Sequence, residues 1–515
     1  MPSWRVRDNV GNDILVHLKI NNKEIAVAEG TTLINAAKDL GIEVPTLCYW
    51  EGVKPMNSCM LCVMRDSATG RLHPSCSTMV QEGMDIETDS GDVCEARKDV
   101  LELILSEHVG DCEAPCTHTC PASMNIPVMM RQIHEGDLDG AAFTVTNGLV
   151  FPGVLGHVCP APCENPCRRN SYDEAMQIKR LHRETSEKAR VDNPELLECP
   201  ADTGKHVAII GGGIAGMAAS WVLRKHGHAC TIYEKETIAG GKLRNLTEEE
   251  LPKHVLDEEI ESIMKLGVNF EFSTEVVAEG NFEAITEQYH AVILACNGVG
   301  KPAGKIFEGK EHKLNVRAVG NGKTAALWTH KYLGSVDFDP VPKFFDCKYG
   351  KLDKENLGNL LETKHALNLP KIEGPLQDAR VEAGRCLHCD CRKRTSCGLR
   401  KWASDYGAEK KKYLSTDNPQ VQILGKGNII LEPGKCIRCG LCVAIAQKHG
   451  EEIGLTFSER GFDMKIHVPF DHSFDDALKK SAAECVEACP TAAIAFRNVE
   501  DVEACHTTTL ITLKR

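Results

Sequence analysis

The stretch HVGDCEAPCTHTC, residues 108–120, holds three cysteines and two histidines. Thiolate sulfur and imidazole nitrogen are ligands for zinc and for iron–sulfur clusters, so this density points to metal chemistry. The chain has 25 cysteines in 515 residues, and most fall into groups. These are Cys48, Cys59, Cys62 and Cys76; Cys112, Cys116 and Cys120; Cys159, Cys163 and Cys167; Cys386, Cys389, Cys391 and Cys397; and Cys436, Cys439 and Cys442 with Cys485 and Cys489. The opening MPSWRVRDNVGN lacks the apolar core of a secretory signal, so a cytoplasmic chain with reduced thiols is expected, not a disulfide framework. Cys94, Cys199, Cys230, Cys296, Cys347 and Cys505 stand alone and read as small buried hydrophobes.

A second chemistry-bearing motif is GGGIAG, with Gly211, Gly213 and Gly216 spaced G-x-G-x-x-G. It follows the apolar run HVAII, opens a helical pattern, and is followed by Glu234 at the end of TIYE. In that context the glycines let the backbone approach a pyrophosphate at the helix N-terminus, beside Ile214 and Ala215, and Glu234 can hold a ribose hydroxyl. Lys235 and the GGKLR stretch (Gly241, Lys242, Arg244) complete the candidate nucleotide set.

The elements that must position these groups are legible in outline. Strand-like ILVHLKI and KEIAVA precede a Thr-capped helix, TTLINAAKDLGI, and ARKDVLELILSEH is an amphipathic helix. The fold class expected is multidomain α/β and α+β. Five segments are drawn: a β-grasp ferredoxin-like domain at 1–92, a helical domain at 93–200, a truncated Rossmann-like domain at 201–335, a connector at 336–425, and a ferredoxin-like domain at 426–515.

The spacing C-x10-C-x2-C-x13-C from Cys48 to Cys76, after a strand pair, a helix and PTLCYW, resembles the [2Fe–2S] domain of the complex I 75 kDa subunit and its hydrogenase relatives. That resemblance implies one [2Fe–2S] cluster on Cys48, Cys59, Cys62 and Cys76. LELILSEHVGDC resembles the next segment of that family, where a histidine joins cysteines on a [4Fe–4S] cluster. APCTHTCPASMNIP and GHVCPAPCENPCRRN instead resemble the two-cluster domain of the bacterial glutamate synthase small subunit and of dihydropyrimidine dehydrogenase. Two [4Fe–4S] clusters are implied, one on His108, Cys112, Cys116 and Cys167, the other on Cys120, Cys159, Cys163 and His182. For His182, on the charged helix KRLHRE, an ordinary histidine is the other reading.

GRCLHCDCRKRTSCGLR places Cys386, Cys389, Cys391 and Cys397 within twelve residues, and reads as a further [4Fe–4S] site with zinc as the alternative. In the tail, KCIRCGLCVAIAQ has Ala446 where a two-cluster ferredoxin keeps its fourth cysteine. A single [4Fe–4S] cluster is therefore expected on Cys436, Cys439 and Cys442, closed by Cys489 or Cys485. This again resembles the complex I 75 kDa subunit.

The block from 205 onward resembles the FAD domain of the glutamate synthase small subunit, which implies FAD. The second, NADPH-binding Rossmann domain of that family is missing between YHAVILACNG and NVRAVGNGKTAALWTHKYLG, as is its Gly-Asp pair, so direct NAD(P)H oxidation is not expected. The net charge of −13 without a basic block excludes nucleic acid and anionic membrane as partners. With no catalytic residue of its own, the chain reads as an electron-transfer subunit with one [2Fe–2S] and three to four [4Fe–4S] clusters and FAD. The resemblances imply as partners an NADH-oxidising FMN/Fe–S subunit like the complex I 51 kDa subunit, and a hydrogenase, a formate dehydrogenase or ferredoxin. Flavin-based electron bifurcation belongs to such complexes. The alternatives are a stand-alone NADPH-dependent reductase and a cluster-carrying scaffold with an empty flavin site.

Overall fold

A computed structural model describes residues 14–189, 198–334, 344–363, 379–413 and 422–497. Cys505 and parts of the 336–425 connector lie outside those residues. The described residues form two compact units: those within 14–112, 344–363 and 391–497 make one, and those within 113–334 and 379–390 the other. The described parts of the 336–425 connector are divided between the two units. The helical segment is divided as well, after Cys112.

In the first unit, β1 (Leu15–Ile20), β2 (Lys23–Ala28), β3 (Val63–Asp66), β4 (Leu72–Pro74) and β5 (Asp85–Glu87) form a sheet of order β2-β1-β5-β3-β4. Strand β1 is antiparallel to β2 and parallel to β5. Asn21 and Asn22 both have positive φ, the conformation a tight two-residue hairpin requires, which is why asparagine suits this turn. Val16, Leu18 and Ile20 alternate inward on β1 and pack with Leu33, Ala36 and Ala37 of the helix Leu33–Asp39. The long connection from that helix to β3 carries Cys48, Cys59 and Cys62, and Cys76 follows β4.

In the second unit, β6 (His206–Ile210), β7 (Ala229–Tyr233), β8 (Val268–Glu271), β9 (Ala291–Leu294) and β10 (Ile306–Glu308) make a fully parallel sheet of order β10-β9-β6-β7-β8. Covered strands of this kind read as continuous apolar runs, as VAII and AVIL do here. The helix Ile214–Lys225 leaves β6 and packs along the helix Asn315–Gly334. Gly322 permits that approach, because a Cβ there would stand 2.1 Å from the Ala215 carbonyl oxygen. Helices Ile126–Glu135, Leu138–Leu149, Pro152–Val158 and Ile178–Ala189 share the same apolar core. The helix Ala379–Gly384 docks on Ile126–Glu135, with Arg380 donating to the carbonyls of His134 and Glu135.

The C-terminal part of the first unit pairs β11 (Ile429–Leu431) with β14 (Ile494–Phe496), and β12 (Thr456–Ser458) with β13 (Lys465–His467). Helices Leu441–Lys448 and Ala482–Ala488 pack over them. Among the described residues, no single helix is long and apolar enough to cross a membrane.

Candidate iron–sulfur and nucleotide sites

Cys48, Cys59, Cys62 and Cys76 come together and are buried. The Cys59 amide donates to Cys48 Sγ at 3.4 Å and the Leu61 amide to Cys59 Sγ at 3.5 Å, across a turn in which Asn57 and Met60 hold positive φ. Amide donors aimed at sulfur favour the thiolate form. The hydrogen bond from Cys59 lowers Cys48 to about 5, and the one from Cys76 lowers Cys62 to about 6. Their partners Cys59 and Cys76 are correspondingly raised.

In the second unit, Cys116, Cys167, Cys386 and Cys389 line one cavity, together with apolar side chains such as Ile126, Met130 and Ile178. Cys386 and Cys389 reach it because the segment after Ala379–Gly384 is pinned by buried charge. Arg385, wholly buried, pairs with Glu382 at 2.7 Å and Asp173 at 3.2 Å, and Arg169 donates to its carbonyl oxygen at 3.1 Å. Burial, then the neighbouring thiols, pushes Cys116 well up; burial pushes Cys386 up to about 12. The lining differs from two groupings expected from sequence: Cys116 and Cys167 share their cavity with Cys386 and Cys389, whereas His108, Cys112, Cys391 and Cys397 belong to the first unit. The reason is that the docking of Ala379–Asp390 on the helical core ends before Cys391, which belongs to the other unit.

Cys120, Cys159 and Cys163 are buried, and burial followed by the charge of Cys120 raises Cys163. His182 is held inside the helix Ile178–Ala189, lowered by burial to about 3, and its Nδ1 has no hydrogen-bond partner among the described residues. Beside Cys120, the buried Lys323 donates to the carbonyls of Ala122 at 2.8 Å and Gly148 at 2.6 Å.

In the first unit, Cys436, Cys439, Cys442 and Cys489 line a second cavity. The Arg438 amide donates to Cys436 Sγ at 3.4 Å. Cys485 is fully buried off that cavity, its Sγ 3.6 Å from the Cys442 carbonyl oxygen. Cys397 donates to the Pro490 carbonyl.

Cys347, expected to be an isolated hydrophobe, is brought against a thiol 235 positions away. The Cys112 amide donates to its carbonyl at 3.0 Å, and its own amide donates to Cys112 Sγ at 3.3 Å. The Cys391 amide in turn donates to the Cys112 carbonyl. Nothing in the spacing of the cysteines points to Cys347; only the fold brings it to Cys112. Among the described residues no three His, Cys, Asp or Glu side chains are arranged for a single metal ion. The thiols instead surround cavities, a donor set that fits clusters.

At the glycine motif, Gly211 has φ +112, and a Cβ on Gly216 would lie 2.1 Å from the Gly211 carbonyl oxygen, so both positions require glycine. Glu234 accepts from the amides of Gly212 at 2.8 Å and Glu236 at 3.0 Å, which ties the end of β7 to the loop. Gly240 donates to the Gly212 carbonyl and brings Gly241 alongside Gly213. Lys235 pairs with Glu236 on the surface, Lys242 donates to the His312 carbonyl, and Arg244 to the Ala239 carbonyl and Asp257. Glu311 is the residue sequence reasoning passed over: a Cβ on Gly213 would stand 3.0 Å from its Oε1. A carboxylate therefore faces the start of the helix Ile214–Lys225, where a pyrophosphate is expected.

Three family models match the chain: a 2Fe-2S iron-sulfur cluster binding domain over residues 14–91, dihydropyrimidine dehydrogenase domain II with its 4Fe-4S cluster over 106–193, and an NAD(P)-binding Rossmann-like domain over 209–268. The NADPH-Fe(3+) oxidoreductase subunit beta of Geobacter sulfurreducens is 34% identical over 206 residues, 39% of this chain and 30% of that protein. The NAD-dependent dihydropyrimidine dehydrogenase subunit PreT of Escherichia coli K12 is 34% identical over 210 residues, 40% and 50% of the two chains. The NADP(+)-dependent formate dehydrogenase subunit beta of Moorella thermoacetica is 32% identical over 205 residues, 35% and 29%. The chain thus spans half or less of the length of these relatives. A NAD+-reducing [NiFe]-hydrogenase chain overlays 94% of this chain and 89% of its own at 12% identity with a TM-score of 0.36, too loose a likeness to argue from. Residues 14–268 carry a [2Fe–2S] domain, a [4Fe–4S] domain and a Rossmann-like domain in series, and the chain is an iron–sulfur protein similar to subunits of oxidoreductases.

Proposed function

We propose that the chain is an electron-transfer subunit of an oxidoreductase complex, holding one [2Fe–2S] and up to four [4Fe–4S] clusters. The observation that carries this reading is the grouping of thiols around apolar cavities with main-chain amides directed at sulfur. Iron–sulfur clusters supply one-electron oxidation and reduction when bound. The protein's part is to hold the thiolates and keep water out. Cys48, Cys59, Cys62 and Cys76 hold the [2Fe–2S] cluster. Cys116, Cys167, Cys386 and Cys389 hold one [4Fe–4S] cluster; Cys120, Cys159 and Cys163, with His182, hold another. Cys436, Cys439, Cys442 and Cys489 hold a third. Catalytic subunits of the formate dehydrogenase or hydrogenase kind, an NADH-oxidising FMN subunit, or ferredoxin are the partners this reading requires.

FAD is assigned to the Gly211–Gly216 loop, with Glu234 holding the loop's shape through the Gly212 amide. Glu311 at the start of the helix favours a second reading, in which the Rossmann unit is a scaffold without flavin. Anaerobic purification with iron, acid-sulfide and flavin quantification tests both, followed by NADH or NADPH addition to the isolated chain. About eighteen irons per chain are expected, with no bleaching of flavin by either nucleotide. An iron-free chain sinks the electron-transfer reading, and reduction by NADPH replaces it with a stand-alone reductase.

A further inference from the structure

Cys347 lies in a stretch that none of the matched family models covers, yet it is among the most deeply placed thiols of the chain. Its segment is held on both sides: the Phe345 amide donates to Ser404 Oγ at 2.8 Å, and the Tyr349 amide to Asp111 Oδ1 at 2.9 Å. These bonds fix the Cys347 backbone against Cys112, which in turn binds the Cys391 amide. Three stretches separated by dozens to hundreds of residues thus meet at Cys112, whose carbonyl accepts from the Cys391 amide and whose sulfur accepts from the Cys347 amide.

We infer that Cys112, Cys347 and Cys391, with His108 as the fourth ligand, hold a further [4Fe–4S] cluster. The inference rests on the reading of the chain as an iron–sulfur protein.

Two residues compete for the fourth place. Cys397 directs its sulfur at the Pro490 carbonyl at 3.4 Å, and Pro490 lines the C-terminal cavity. His108 has a buried Nδ1 with no hydrogen-bond partner among the described residues, and its main-chain carbonyl meets Cys347 Sγ at 3.6 Å. A buried ring nitrogen without a hydrogen-bond partner, on a residue whose main chain touches Cys347, is available as a ligand.

The test is iron and sulfide content with EPR of the dithionite-reduced full chain, purified anaerobically. Cys347→Ser is expected to lose about four irons while keeping the [2Fe–2S] signal, which belongs to the same unit and reports its folding. His108→Cys is expected to keep its iron and to change the EPR g-values and lower the midpoint potential of one cluster, because a thiolate adds a negative charge. Full iron and wild-type spectra in Cys347→Ser overturn the proposal, as does an unchanged spectrum in His108→Cys. Should Cys347→Ser lose the [2Fe–2S] signal as well, the His108→Cys measurement decides. Cys116→Ser separates the two readings: iron lost there but not from Cys347→Ser overturns only this site, whereas an iron-free wild type overturns the electron-transfer reading itself.

Discussion

Arg169 donates a hydrogen bond to the carbonyl oxygen of Arg385 at 3.1 Å, across 216 positions of sequence, and neither side chain is open to solvent. With the Arg385 pairs to Glu382 and Asp173, this contact seats Cys386 and Cys389 beside Cys116 and Cys167. Arg385→Ala leaves Glu382 buried without its cation and is expected to destabilise the protein by about 3–5 kcal/mol. The same variant is expected to lose about four irons, since two thiols leave the cavity. Denaturant unfolding and an iron assay check both; full iron at wild-type stability defeats the prediction.

Cys489 lines the C-terminal cavity and Cys485 does not. Cys489→Ser is expected to lose about four irons, and Cys485→Ala to keep them with a modest loss of packing. The reverse result would hand the fourth position to Cys485.

Lys323 gives a pH signature. Burial lowers its ammonium to about 8, below the ordinary lysine value, although Cys120 opposes the shift. Between about pH 8 and 10.4 the unfolded chain therefore binds more protons than the folded one, so this group's contribution to stability rises with pH over that window. Wild type is expected to gain stability from pH 8 to pH 10 relative to Lys323→Met, which lacks the titrating group. Below pH 8 the Met variant still loses two carbonyl partners, at a cost of about 1–3 kcal/mol. Parallel stability curves for the two proteins across pH 8–10 would refute the assignment.

Glu311 presents a carboxylate at the start of the helix Ile214–Lys225, where it competes with any phosphate. Glu311→Ala is expected to raise flavin occupancy on reconstitution with FAD, by up to several-fold, read from absorbance after gel filtration. Equal occupancy in both proteins removes Glu311 from the nucleotide site.

What could be read from sequence divides by range. The strands, the Thr32-preceded helix, the glycine loop and the ligands of single loops, such as Cys436, Cys439 and Cys442, depend on neighbours a few positions away. Their spacing encodes them. The partition of Cys112, Cys116, Cys167, Cys386, Cys389 and Cys391 depends on where Ala379–Gly384 docks, and that is fixed by buried ion pairs and by the fit of Gly384 against His134. Spacing carries no record of such contacts, so adjacent cysteines in GRCLHCDC were grouped by proximity in sequence when tertiary structure separates them. Cys347 was missed for the same reason.

The cavity shared by Cys116, Cys167, Cys386 and Cys389 also sets a schedule for biosynthesis. Ribosomes add about 5–20 residues per second, so on the order of 10–40 s separates the appearance of Cys167 from that of Cys389. During that interval the earlier thiols lack half of their set and are open to oxidation, and on the proposed assignment cluster insertion at this cavity follows translation of Cys389. Cys48 to Cys76, by contrast, have all four thiols available while most of the chain is still unmade.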